Sequence, residues 1–212
     1  EDINVTYMKR LIDILIAHRI FIVFASSHYV FDGLRGNYLE TDTPSPILLY
    51  GAQKYRIEEY LSHKTAGYLV VRFGKVYGME PGDGTLFTSW IEQILSGQPI
   101  TVTTDQKFSS ISFLDIVRSV MGLIDKRATG IYHVAGPKGL SRKELFEMTV
   151  FKLKRKKSIT PQVTYCSIDD ISLIEKRPHD VSLSIDKLAS ATGFTPRGPE
   201  EVIDVILTKY SL

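Results

Sequence analysis

The sequence predicts an α/β fold: a parallel sheet with covering helices, then a smaller lobe toward the C-terminus. Three observations carry this. Two continuous apolar runs, Ile20–Ala25 and Tyr68–Arg72, have the composition of strands buried on both faces. Each follows a segment that reads as a helix, and helix–strand alternation is the grammar of a parallel sheet. After Gly78 the elements shorten and a loop rich in Gly, Pro and Asp intervenes, which marks a second unit.

Taken in order, residues 2–18 read as an amphipathic helix, with Val5, Met8, Leu11, Ile12 and Leu15 at helical spacing. Ile20–Ala25 is the first strand. A loop rich in Gly, Asp, Pro and Thr runs to Pro46, and a helix is expected over Ile47–His63 before the second strand, Tyr68–Arg72. Glu80–Gly84 is a loop, and Leu86–Leu95 a helix holding the only tryptophan, Trp90. Ile100–Thr103 is a short strand. Phe113–Ile124 is an amphipathic helix with Asp115 in its first turn, where the helix dipole favours an acid. Gly130–Gly136 is a third buried strand ended by glycine. Ser141 and Glu144 form a capping box for a helix running to about Lys154. A short strand at Val163–Cys166, a loop at Arg177–Pro178 and a helix from Pro199 to about Tyr210 complete the chain.

A chain of 212 residues supports one domain with a subsidiary lobe. Its 43% hydrophobic and 24% charged residues are ordinary for a globular protein. No apolar run approaches the roughly 20 residues of a membrane helix, and no signal-peptide pattern opens the chain, so no membrane partner is expected. Cys166 is the single cysteine, which excludes an intrachain disulfide and fits a reducing cytoplasm. A net charge of +2 is too small to argue for nucleic acid. The Lys152–Lys157 run reads as a solvated helix end, where cations suit the negative dipole. No metal is expected. The chain begins at Glu1 and not Met, so a processed product or a piece of something longer is expected.

The residues that carry chemistry are Tyr50 and Lys54, one turn apart on a helix that follows a strand ending in Ser26-Ser27. An i,i+4 pair shares one helix face. The ammonium is therefore expected to lower the phenol pKa from about 10 and make its proton transferable to a carbonyl oxygen. With 11 tyrosines in the chain, roughly one Tyr-x-x-x-Lys arises by chance. A second, Tyr60 with Lys64, is read as that accident, since no hydroxyl-bearing strand lies at a matching distance upstream.

Ala25-Ser-Ser-His-Tyr-Val-Phe-Asp-Gly33 is similar to a Ser-Thr-Asp-Tyr-Val-Phe-Asp-Gly signature. The stretch Tyr38–Pro46 with Tyr50-Gly-Ala-Gln-Lys54 continues the likeness. Gly130–Gly136 and Arg177-Pro-His-Asp-Val-Ser-Leu-Ser184 with Lys187 extend it over essentially the whole chain. Together these resemble the extended short-chain dehydrogenase/reductase superfamily, and within it the dTDP-4-dehydrorhamnose reductases.

The resemblance implies a Rossmann-like parallel sheet over 1–80 and 104–136, and a substrate lobe over 81–103 and 137–212. It implies an oxidoreductase using NADPH (or NADH) to reduce a 4-keto-deoxysugar nucleotide in the dTDP-rhamnose and polysaccharide route. Tyr50 would be the general acid, Lys54 its electrostatic partner and a contact to the nicotinamide ribose, and Ser27 the donor to the developing oxyanion. Asn4 falls where a helix Asn shapes a proton relay, or it caps the helix start. Arg72 joins Tyr50 and Lys54 on the cofactor side. Ser27, His28, Tyr29, Val30, Phe31 and Arg177 stand on the substrate side. His28 departs from the family's acid, which puts the sugar in question; a surface loop residue is its other reading. Arg177 suits a diphosphate, because a guanidinium fork matches phosphate oxygens, or it makes a surface salt bridge. His133 reads as a satisfied core histidine.

The glycine-rich turn of a dinucleotide site is absent: fewer than twenty residues precede the first strand, and none is glycine. The first three strands of the family's sheet are therefore expected to be missing. Their loss would leave Ile20–Ala25 as an exposed apolar edge, completed by an N-terminal segment, a separate chain or a homodimer. A non-catalytic, NADP-binding regulatory subunit of the same family and a nucleotide-sugar epimerase are the alternative functions. The 212-residue chain alone is expected to bind NADPH very weakly; submicromolar binding by calorimetry would contradict this.

Overall fold

The computed structural model describes residues 2–212. After a π-helical turn at Asp2–Tyr7 come α1 (Met8–Ala17), β1 (Ile22–Ser27), a 3-10 turn at His28–Val30, α2 (Leu49–Lys64), β2 (Tyr68–Phe73), β3 (Lys75–Tyr77), α3 (Leu86–Leu95), β4 (Ile100–Thr103) and β5 (Lys107–Ser112). There follow α4 (Phe113–Asp125), β6 (Gly130–Val134), β7 (Gly139–Ser141), α5 (Arg142–Lys154), β8 (Val163–Cys166), α6 (Asp186–Thr192) and α7 (Pro199–Leu207).

The sheet that positions the site is parallel, in the order β1-β2-β6. A second sheet, β3-β5-β7, pairs β3 with β5 in parallel and β5 with β7 antiparallel. β4 and β8 form a small parallel pair. Helix ends follow local chemistry. Ser141 and Glu144 form the expected reciprocal capping box on α5. Ser112 accepts a hydrogen bond from the Asp115 amide at the start of α4. Pro199 opens α7, where its missing N–H costs nothing.

Three cores hold these layers. α1 and α2 bury Ile12, Ile57 and Leu61 against one face of the main sheet, at Ile22, Phe24 and Val70. α4 and α6 cover the other face, at Leu69, Val71 and Val134, together with Val30 and Phe31. The small lobe packs Phe87, Trp90, Ile91, Phe146, Val202 and Ile206. α6, expected in the small lobe, instead packs against the main sheet, while Tyr77 and Phe108 join the lobe core.

β1 is not buried on both faces. Val23 is 39% exposed, and Ile20 and Phe21 are exposed beside it. The cause is topological: among the described residues nothing pairs with the outer edge of β1. Ile3, Tyr7, Leu11 and Ile14 form an exposed stripe at helical spacing along the N-terminal helical segment. Phe113, Val117, Met121 and Ile124 do the same on α4. Apolar faces of this kind mark covered surfaces or association sites. The 212-residue chain is therefore expected to self-associate in solution. Val23→Lys, a charge on the open edge, should raise the monomer fraction in sedimentation; an unchanged distribution would show that the edge is not the contact.

Candidate active site

The first turn of α2 lies against the 3-10 turn that follows β1. Gly51 makes this approach possible, since a Cβ there would stand 1.9 Å from the Tyr29 carbonyl oxygen. Ser27 caps the 3-10 turn by accepting a hydrogen bond from the Tyr29 amide at 3.2 Å. The Tyr29 ring then meets the Tyr50 ring edge-on, with centroids 6.5 Å apart. Lys54 reaches back across the strand and donates to the Ala25 carbonyl at 2.8 Å. Its Nζ lies 4.9 Å from the Phe24 ring centroid and 5.6 Å from that of Tyr50. Ser27, Tyr50 and Lys54 are thus held around the C-terminal end of β1, as strand-end sites in parallel sheets are.

Asn4 stands beside them. It lies in the π-helical turn, a distortion common at functional positions, and donates to the Gln53 carboxamide oxygen at 2.8 Å. Asn4, Met8, Phe24, Tyr50, Gln53 and Lys54 line a cleft of about 60 Å³. Asn4 is therefore not the helix cap that one reading expected.

The electrostatics differ from expectation in one respect. Burial, then the neighbouring Tyr29, raises the Tyr50 pKa above its ordinary value. The ammonium is committed to the Ala25 carbonyl and does not lower it. Burial lowers the Lys54 pKa, partly offset by Glu58. A raised phenol pKa keeps Tyr50 protonated near neutral pH, the form an acid must have.

Several expected residues lie elsewhere. Arg72 cannot touch a cofactor: it is 1% exposed, and its fork is spent on Glu58, with Nε 3.1 Å from both carboxylate oxygens and Nη2 2.6 Å from one. Val30 and Phe31 are fully buried core residues, because the 3-10 turn aims them inward. His28 is buried too, neither a surface residue nor an open contact. Burial and then Lys75 hold its pKa at about 3. His133 is the satisfied core histidine expected, with Nδ1 3.2 Å from the Ser184 carbonyl oxygen. The Tyr60 hydroxyl donates to Asp13 at 2.6 Å, and Lys64 pairs with the same carboxylate. That pair fastens α2 to α1 through Asp13.

Sequence reasoning missed the neighbouring pocket. Lys75, Thr85, Ser89, Trp90, Gln93 and Arg142 line a cavity of about 420 Å³ between β3, α3 and α5. Burial, then Arg142, then Arg177 lower the Lys75 pKa; Lys75 and Arg142 line the cavity, and Arg177 lies near it without lining it. None of the three pairs with a carboxylate among the described residues. Arg142 lies 5.4 Å from the Trp90 ring centroid, and Arg177 5.8 Å from that of Tyr29. Tyr29 therefore joins the cationic pocket to Tyr50. Partly buried cations without counter-charges are costly unless an anion completes them. Gly33, at φ +80°, lets its loop pack on Pro178 and so sets the Arg177 segment against this face. The one early signal was Arg177, read from the sequence as suited to a diphosphate or to a surface salt bridge; Lys75 and Arg142, far from it in the chain, gave none. Among the described residues, no group of three or more His, Cys, Asp or Glu is placed to hold a metal ion. No helix there is long and apolar enough to cross a membrane.

Comparison with known proteins shows the family and the fold. The RmlD substrate binding domain matches residues 1–212. A probable low-salt glycan biosynthesis reductase of Haloferax volcanii is 29% identical over 126 residues, covering 58% of this chain and 42% of that protein. A dTDP-4-dehydrorhamnose reductase of Aggregatibacter actinomycetemcomitans is 24% identical over 206 residues, 92% of this chain and 69% of that protein. The chain thus spans about two-fifths to two-thirds of the curated relatives' lengths. The structure of a hypothetical dTDP-4-dehydrorhamnose reductase from Sulfolobus tokodaii superposes with TM-score 0.77 at 27% identity, over 93% of this chain and 68% of that one. That of the Bacillus anthracis reductase, in complex with NADP, gives 0.78 at 24%, over 91% and 66%.

The Tyr50 phenol is expected to titrate above the ordinary tyrosine value, seen as the phenolate absorbance step that Tyr50→Phe removes. A step near neutral pH would contradict the described electrostatics.

Proposed function

The chain belongs to the RmlD substrate binding domain family, and on that premise we propose that it is the substrate-binding and proton-delivering part of an NAD(P)H-dependent reductase of a 4-keto-deoxysugar nucleotide. The observation that carries the reading is the gathering of Ser27, Tyr50 and Lys54 at one strand end, with the cationic pocket joined to them through Tyr29.

In this reading the pocket takes the nucleotide. Arg142, Arg177 and Lys75 neutralise the diphosphate, Arg most suitably because its planar fork matches phosphate oxygens. Trp90 backs the pocket wall beneath the Arg142 guanidinium. The sugar then lies toward Tyr29, with its 4-keto oxygen between the Ser27 and Tyr50 hydroxyls. Tyr50 Oη donates its proton to that oxygen as it becomes an alkoxide, and Ser27 Oγ donates a hydrogen bond to the developing charge. The Lys54 ammonium, bound to the Ala25 carbonyl, suits a hydroxyl of the cofactor ribose and does not lower the Tyr50 pKa.

The ammonium, phenol and two carboxamides around the narrow cleft beside Lys54 are partners that would suit the hydroxyls and amide of a nicotinamide nucleotide lying at its mouth. When bound, a reduced nicotinamide supplies the hydride. A cradle for its pyrophosphate is expected from polypeptide that completes the sheet beside β1.

In the full natural polypeptide, Tyr50→Phe should lower the rate of NADPH oxidation with a dTDP-4-keto-6-deoxysugar by about 10²–10⁴-fold. Equal rates would remove Tyr50 as the acid and with it this function.

A further inference from the structure

Beneath the site lies a buried group of charges that the reaction does not itself use. Glu58 and Arg72 are 2% and 1% exposed, and their carboxylate and guanidinium face each other side-on. The Ser26 hydroxyl donates to the same carboxylate from β1. The Arg72 guanidinium lies over the Phe31 ring, 5.1 Å from its centroid, and its Nη1 is 3.5 Å from His133 Nε2. One carboxylate therefore ties together α2, β1 and β2.

These ties sit next to each reacting group. Ser26 adjoins Ser27. Glu58 is one turn beyond Lys54, which is one turn beyond Tyr50, so all three lie along one face of α2. The Lys54 ammonium meets the same strand at Ala25, one residue before Ser26. A buried ion pair is a poor source of stability, because desolvation cancels most of its attraction. What it adds over an apolar pair is direction: hydrogen bonds fix how far α2 slides and rolls over β1 and β2.

We propose that Glu58 is a positioning residue: through Ser26 and Arg72 it fixes the register of α2 against β1, and so sets Tyr50 and Lys54 against Ser27. This rests on the reading of those three as the reacting groups. Arg72 is the counter-charge that permits the carboxylate to be buried, and Ser26 is the link to the strand.

A single Glu58→Gln leaves Arg72 buried without its counter-charge and threatens folding. The decisive variant is Glu58→Met/Arg72→Met in the full natural polypeptide, which replaces the pair with apolar side chains of similar length. It should melt within a few degrees of the parent. Its kcat should nevertheless fall about tenfold to a hundredfold, with KM changed by less than about twofold. In its crystal structure the 2.8 Å contact between Lys54 Nζ and the Ala25 carbonyl should be lost. A parental kcat overturns the proposal, and so does a retained contact. Should the double variant not fold, Ser26→Ala decides, because it leaves the ion pair whole: kcat should drop several-fold at an unchanged melting temperature, and an unchanged kcat overturns the proposal. If Tyr50→Phe proves fully active, the functional reading fails on its own. The Lys54–Ala25 contact in the variants then decides the positioning claim alone.

Discussion

The carboxylate of Glu58 is the buried ionic tie between helix α2 and the sheet, set beside the apolar packing of Ile57 and Leu61. Its partners come from the two strands that α2 connects, Ser26 on β1 and Arg72 on β2. Leaving one member of such a pair alone in the interior costs about 3–5 kcal/mol, a large part of a domain's net stability. The close approach of α2 to the 3-10 turn, which Gly51 permits, depends on the same seating. So does the reach of Lys54 to Ala25. Tyr50 is met by the Tyr29 ring and the Lys54 ammonium, so its place is inherited largely from the helix.

From this seat the chemistry divides into two halves. Toward β1 lie the phenol, the ammonium and the Asn4–Gln53 carboxamides, around a narrow cleft at the open edge of the sheet. Toward the small lobe lie Lys75, Arg142 and Arg177, three cations without carboxylate partners among the described residues. Tyr29 touches both, through the Tyr50 ring on one side and the Arg177 guanidinium on the other. Burial disfavours charge in both halves: it keeps the phenol protonated, as the proposed proton donation requires, and it makes Lys75 and Arg142 receptive to an anion.

The sequence made the strongly periodic elements legible. Leu86–Leu95, Ile100–Thr103 and Val163–Cys166 form over the expected residues, and the Ser141–Glu144 box closes as its spacing implied. Lys107–Ser112 escaped notice because its buried positions are filled largely by serines. Ser109, for one, finds its partners in the Leu183 backbone. α6 is seven residues long and polar, too short for a helical period to stand out. At the proposed site, the Tyr50–Lys54 pairing was legible because an i,i+4 relation is local, and the fold brings the turn after Ser27 beside it. Arg72, Val30 and Phe31 were misplaced because adjacency to a motif does not say which way a side chain points. The cationic pocket draws on positions scattered from Lys75 to Arg177, and only the fold brings them together.

The most direct measurement is a crystal structure of the full natural polypeptide with a dTDP-4-keto-6-deoxysugar and an unreactive nicotinamide dinucleotide. The account predicts the diphosphate on Arg142 and Arg177, and the 4-keto oxygen within hydrogen-bond distance of both Tyr50 Oη and Ser27 Oγ. A nucleotide seated away from the Lys75–Arg142–Arg177 pocket, or a keto oxygen out of reach of Tyr50, would contradict it.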